Sequence, residues 1–119
     1  MTGQDVHGEL GDLGAEDAKL LTLARSARAR TGAAEGAAVR DTEGRTYAAS
    51  TVALPSLRLT AAQAAVAAAV ASGVDGLEAA VIVTAADAVD GPSLSAVHDL
   101  TGDAPVFRAD ESGSVRERL

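Results

Sequence analysis

The segment Pro92-Ser93-Leu94-Ser95-Ala96-Val97-His98-Asp99 carries two hydroxyls, an imidazole and a carboxylate in one short stretch. Catalysis by a serine nucleophile needs a base to take the hydroxyl proton and an acid to orient that base. Ser95 and His98 are spaced i, i+3, which puts them on one helical face, and Asp99 follows directly. No nucleophile elbow or identifiable oxyanion loop accompanies them, and Ser93 lies further from His98 still. His98 is therefore read as a surface or interface residue near a helix end. Metal chemistry needs at least three convergent ligands, and only His7 and His98 supply imidazole. Asp87, Asp90 and Asp99 could add oxygens, but no ligand spacing joins them, and Asp87, Asp90 and Asp103 are read as a solvated face. The sequence contains no cysteine, hence no thiolate nucleophile, no sulfur ligand and no disulfide framework. Gly36, Gly44 and Gly73 fit turns or caps, and no phosphate-loop pattern surrounds them. No metal and no cofactor is expected.

The stretch LTAAQAAVAAAVASG, Leu59 to Gly73, is inert in a different way. It is a good helix from about Thr60 to Ser72, stopped by Gly73, yet nearly every side chain is alanine or valine. Such a helix packs but does not react. Thr60 and Ser93 are both good N-cap types, and capping is the role expected of each.

The remaining chain supplies elements around these two helices. From Ala15 to Arg30, Leu20, Leu21, Leu23, Ala24 and Ala27 recur at helical spacing, with Glu16 and Asp17 at the start and arginines at the end. Thr31-Gly32 closes that helix. Ala37 to Arg40 and Arg45 to Val52 read as a hairpin around Asp41-Thr42-Glu43-Gly44, and Pro55 then interrupts the chain. Glu78 to Thr84 has the continuous β-branched character of a strand buried on both faces. Pro92 suits the first turn of a helix reaching Leu100. Ala104 to Ala109 and Ser114 to Arg118 are short strands about the turn Glu111-Ser112-Gly113. Residues 1–13 read as a flexible N-terminal segment and 14–119 as one domain. Helix, hairpin, helix, strand, helix, strand predicts a three-layer α/β domain, a mixed sheet of about five strands flanked by helices.

A formal net charge of −7 argues against nucleic acid as a partner, since phosphate binding needs a positive surface. Arg25, Arg28 and Arg30 are assigned to the helix end they complement. No apolar run is long enough to span a membrane and no signal segment is evident, so the cytoplasm is the expected address. The 47% hydrophobic content comes mostly from small side chains, with one Phe, one Tyr and no Trp, so the monomer core is expected to be thin. Tyr47 and Phe107 are assigned to core or interface volume. Flat alanine faces favour homo-oligomerisation, and a dimer or tetramer is expected.

Taken in order, these pieces resemble the zinc-dependent cytidine deaminase family. The resemblance runs from about Leu20 to Leu119 and covers the first helix, the hairpin GAAVRDTEGRTYAASTV and the alanine-rich helix ending in ASG. It continues through the strand AAVIVTA, the Gly-Pro before the third helix and the closing APVFRADESGSV. It implies the fold and a zinc site. In that family a Cys/His-Ala-Glu pattern opens the second helix and Pro-Cys-x-x-Cys the third. Three ligands hold zinc and acidify a bound water, and the glutamate carries protons. Read back from Gly73 without gaps, Thr60 stands in place of the ligand, Ala62 of the glutamate, and Ser93 and Ala96 of the two cysteines. Aligning Gln63 with the glutamate instead does not restore the chemistry, because a neutral amide does not exchange protons near neutral pH. The family's ribose-binding strand corresponds to Thr51-Val52-Ala53-Leu54, and the loop after it is about two residues short. Thr51, Ala53 and Gln63 mark any residual ligand pocket.

Three functions follow as expectations. The first is a catalytically inactive, degenerate member of the family, a pseudoenzyme acting through oligomerisation or an unknown protein partner. The second is a nucleoside- or nucleotide-binding sensor without turnover. The third is a working cytidine deaminase, as family assignment alone would have it.

Overall fold

The computed structural model describes residues 13–119. Most of the expected N-terminal segment, including His7, lies outside the described residues. Leu13 is half-buried and packs against the core beneath the first helix.

Helix α1 (Ala15–Thr31) buries Leu20, Ala24 and Ala27, which fall on one face at spacings of four and three. Glu16 and Asp17 lie in its first turn and Arg28 and Arg30 in its last, each complementing the adjacent helix terminus. Gly32 ends it at φ 66°, a left-handed conformation, and returns its N–H to the Arg28 carbonyl.

Strand β1 (Glu35–Asp41) pairs antiparallel with β2 (Thr46–Ser50) on one side and with β5 (Leu77–Thr84) on the other. β5 is parallel to β6 (Val106–Ala109), which is antiparallel to β7 (Val115–Arg118). The sheet is therefore mixed, in the order β2-β1-β5-β6-β7. Two further helices, α2 (Ala61–Ala71) and α3 (Gly91–Leu100), complete the three layers.

β5 shows why the strand is apolar throughout. Ala79, Val81 and Val83 face Leu20 and Ala24 of α1, with Phe107 and Val115 in the same cluster. Ala80 and Ile82 face the opposite way, into a cluster with Ala62, Ala65 and Val66 of α2 and Val97 of α3. Alternation sends successive side chains to opposite faces, and both faces are covered. Small residues at the helix–sheet contacts let the layers approach closely. At Gly36 a methyl group would fall 2.0 Å from the Ala24 carbonyl oxygen, so α1 rests directly on the β1 backbone.

The second half of the expected hairpin differs from the sequence reading. In place of one strand from Arg45 to Val52, β2 stops at Ser50, and Val52–Leu54 (β3) folds back on Leu57–Leu59 (β4). The two pair antiparallel, Val52 with Leu59 and Leu54 with Leu57, about a Pro55-Ser56 turn. The cause lies at the end of β1. The Thr51 N–H reaches the Glu35 carbonyl at 3.1 Å and its hydroxyl accepts the Glu35 N–H at 3.0 Å. That closes the ladder, and the chain beyond pairs with itself.

At the other end of β1, the turn Asp41–Gly44 is organised by a buried carboxylate. Asp41 accepts from the N–H groups of Glu43 and Arg45 at 2.8 and 2.9 Å, from Arg45 Nε at 2.9 Å and from the Tyr47 hydroxyl at 3.2 Å. Burial pushes the Asp41 carboxyl upward, but the hydrogen bonds outweigh it and hold the group below its ordinary range. Close by, Arg40 ties α1 to β5 through Asp17 at 2.9 Å and Glu78 at 2.8 Å.

Candidate functional site

The N-termini of α2 and α3 meet at the end of the sheet where β5 finishes. Thr60 caps α2 with extended backbone, φ −68° and ψ 162°. Its hydroxyl accepts the Gln63 N–H at 3.1 Å, while Gln63 Oε1 accepts the Thr60 N–H at 3.0 Å. This reciprocal capping box satisfies two donors that a helix start leaves free.

Thr60 is the cap the sequence suggested, but Ser93 is not. Asp90 caps α3, its Oδ1 accepting the Ser93 N–H at 3.1 Å. Pro92 has no N–H to offer, so the Ser93 N–H is the donor that needs an acceptor, and the Asp90 carboxylate, three residues back, can reach it. The Ser93 side chain, 1% exposed, is left to point across the gap, where Oγ donates to Thr60 Oγ1 at 2.9 Å. Two of the four positions the family resemblance singled out are thus joined by a hydrogen bond. The other two lie elsewhere. Ala62 is fully buried against the sheet, and Ala96 lines an open cleft of about 570 Å³ between α2 and α3, with Val66, Val70 and Leu100.

A groove of about 680 Å³ lies in front of the Thr60 cap. Thr51, Ala53 and Gln63, the three residues marked as a residual pocket, all line it, together with Thr60. Glu35, Arg58 and Thr84 line it as well and were not singled out in the sequence. Arg58 stands on the β3–β4 hairpin, which the sequence reading did not resolve. Thr84 ends β5, and the C-terminal ends of strands in α/β sheets are where ligands collect, a rule that could have flagged it.

The serine–histidine arrangement is not assembled. Ser95 and Asp99 are exposed, and His98 Nε2 sits 3.0 Å from the Ala104 carbonyl, tying the end of α3 to the chain that enters β6. Among the described residues no three acidic or imidazole side chains converge to hold a metal ion, so Asp87, Asp90 and Asp99 form no centre with His98. Asp90 acts as a cap.

This architecture defines a class. A family description, cytidine deaminase-like, matches residues 13–113, and the chain belongs to that family. Among solved structures, a cytidine deaminase from Burkholderia pseudomallei superposes with a TM-score of 0.74 at 22% identity, covering 85% of this chain and 89% of the other. A cytidine deaminase from Mycobacterium leprae gives a TM-score of 0.64 at 20% identity, covering 88% and 93%. No curated protein matches by sequence.

The zinc that the family resemblance implies does not suit the residues present. The Thr60 oxygen already accepts from Gln63 and from Ser93, which occupies both of its lone pairs. Ser93 is a neutral hydroxyl whose proton is engaged, and Ala96 and Ala62 end in methyl groups. Zinc takes thiolate, imidazole or carboxylate, and none stands at these positions.

Proposed function

We propose that this chain is a catalytically inactive member of the cytidine deaminase-like family, acting through self-association or through binding a protein partner. The observation that carries the reading is the Ser93–Thr60 hydrogen bond at 2.9 Å. It joins the two helix tips with uncharged side chains at positions where the family resemblance calls for metal ligands. Without a metal, an attacking water keeps its ordinary pKa, far above the value of about 7 that bound zinc gives it, and Ala62 offers no proton carrier. Exposed Leu54, Leu57 and Val70 support the self-association part, because they add apolar surface to a small-residue core.

Elemental analysis of the purified protein, combined with an ultraviolet absorbance assay on cytidine, tests the proposal. The expected result is zinc far below one equivalent per chain and no loss of cytidine absorbance. One equivalent of zinc with turnover would establish the alternative, a working cytidine deaminase.

The 680 Å³ groove favours a second reading, a nucleoside or nucleotide sensor without turnover. A thermal-shift titration separates it from a scaffold. A saturable rise in melting temperature with a nucleoside supports sensing, and no rise supports the scaffold.

A further inference from the structure

The groove in front of α2 has a polarity set by the hydrogen bonds behind it. Thr60 Oγ1 accepts twice, from Gln63 N–H and Ser93 Oγ, so its own proton is directed to a third partner. Gln63 turns its carbonyl oxygen to the Thr60 N–H, which fixes the orientation of the amide and leaves both Nε2 hydrogens unclaimed. Thr84 lines the same groove and is only 3% exposed. Its hydroxyl accepts from the Ala86 N–H at 3.1 Å and donates to no group among the described residues. A hydroxyl that accepts but does not donate keeps its proton free for an acceptor in the groove that it lines. Arg58, on the hairpin side, forms no ion pair among the described residues.

Three uncommitted donor groups and a guanidinium thus share one groove, whose remaining wall includes Val52, Leu59 and Pro92. We infer that the groove binds a small carboxylate on an apolar body, the carboxylate received by the Thr60, Thr84 and Gln63 donors and balanced by Arg58. Hydrogen bonds to an ionised acceptor are stronger than those to a neutral one, and the guanidinium favours the charged form of the head group. Glu35 also lines the groove, and its negative charge opposes a ligand with anionic groups at both ends. A single acceptor head on an apolar body satisfies both walls. This inference goes beyond the reading of catalytic inactivity and does not depend on it, since neither zinc content nor cytidine turnover enters its test.

Benzoate, benzamide and benzylamine share one body and differ in the head, so they serve as probes. Each is titrated against the full chain and followed by amide chemical shifts in two-dimensional NMR. Saturable binding of benzoate is expected, with shifts concentrated at Gln63, Thr84 and Arg58. Benzamide is expected about tenfold weaker and benzylamine without saturation. Gln63→Glu keeps the capping-box acceptor while replacing the amide donors with a negative oxygen. It is expected to hold the melting temperature and weaken benzoate by about tenfold or more. Arg58→Gln, at an exposed position, is expected to weaken benzoate severalfold. No saturation by benzoate, benzamide or benzylamine binding as tightly as benzoate, or unchanged benzoate affinity in Gln63→Glu would each overturn the assignment.

Discussion

A hydroxyl has one proton to give, and Ser93 gives its proton to Thr60. The exchange makes Thr60 both a helix cap and the receiver of a buried donor, so its removal has two costs. Thr60→Val keeps the shape, deletes the cap and strands the Ser93 hydroxyl, and is expected to destabilise the protein by about 2 kcal/mol in urea denaturation. Thr60→Ser keeps the oxygen and should stay within about 0.5 kcal/mol of the parent. Asp41 governs a different property. Burial raises its carboxyl while the bonds from Arg45, Glu43 and Tyr47 lower it further, so the folded-state pKa lies below the unfolded one. The unfolded chain then binds the proton more readily. The stability this group contributes is present above the ordinary carboxylate pKa of about 3.9 and is lost as pH falls through the depressed folded value. Asp110 is depressed in the same direction, chiefly by the Ser112 hydroxyl and by backbone N–H groups, and adds to the trend. Urea denaturation from pH 6 down to pH 2 should show a flatter acid limb for Asp41→Asn than for the parent. An equal slope in both would remove Asp41 from the account.

Close approach between elements is a backbone property, and Gly36 is where it is tightest. A methyl group there meets the Ala24 carbonyl oxygen at 2.0 Å and Arg28 Cβ at 2.8 Å, neither of which is the free end of a flexible side chain. Gly36→Ala must move α1 off β1, and a loss of about 3 kcal/mol or more is expected in thermal or chemical unfolding. Gly102→Ala, with no atom within 4 Å of the added group and no left-handed backbone, is the matched control and should change little. Helix α2 was legible as an element because its capping residue, its alanine run and its terminal glycine agree. The β3–β4 hairpin was not. Val52 to Leu59 is too short for a period to show, and what ends β2 is the Thr51 hydroxyl meeting Glu35, a contact between residues far apart in the chain.

Across the whole molecule the interior is built from alanine and valine, with Leu20, Ile82 and Phe107 among its few large side chains. Apolar area buried per residue is correspondingly small, and joining a second copy is one way to add to it. The proposal of self-association gives a direct expectation. Sedimentation at micromolar concentration should find a dimer or tetramer. Leu57→Glu combined with Val70→Glu, both at exposed positions, should shift the mass toward the monomer with unchanged far-ultraviolet circular dichroism. A parent that sediments as a monomer would refute the self-association arm.

Local chemistry was enough to place three helices, the central strand and the mixed α/β class, because caps, glycines and apolar periods act over a few residues. The family resemblance, and not local chemistry, set Thr60 and Ser93 opposite that family's metal ligands, and neither residue type is a zinc ligand. Only the tertiary structure decided that Asp90 and not Ser93 caps α3, and that the freed serine reaches Thr60. It alone added Thr84, Arg58 and Glu35 to the groove that Thr51, Ala53 and Gln63 line. Those relations join residues distant in sequence, and the direction of a hydrogen bond depends on which other bonds each atom already makes.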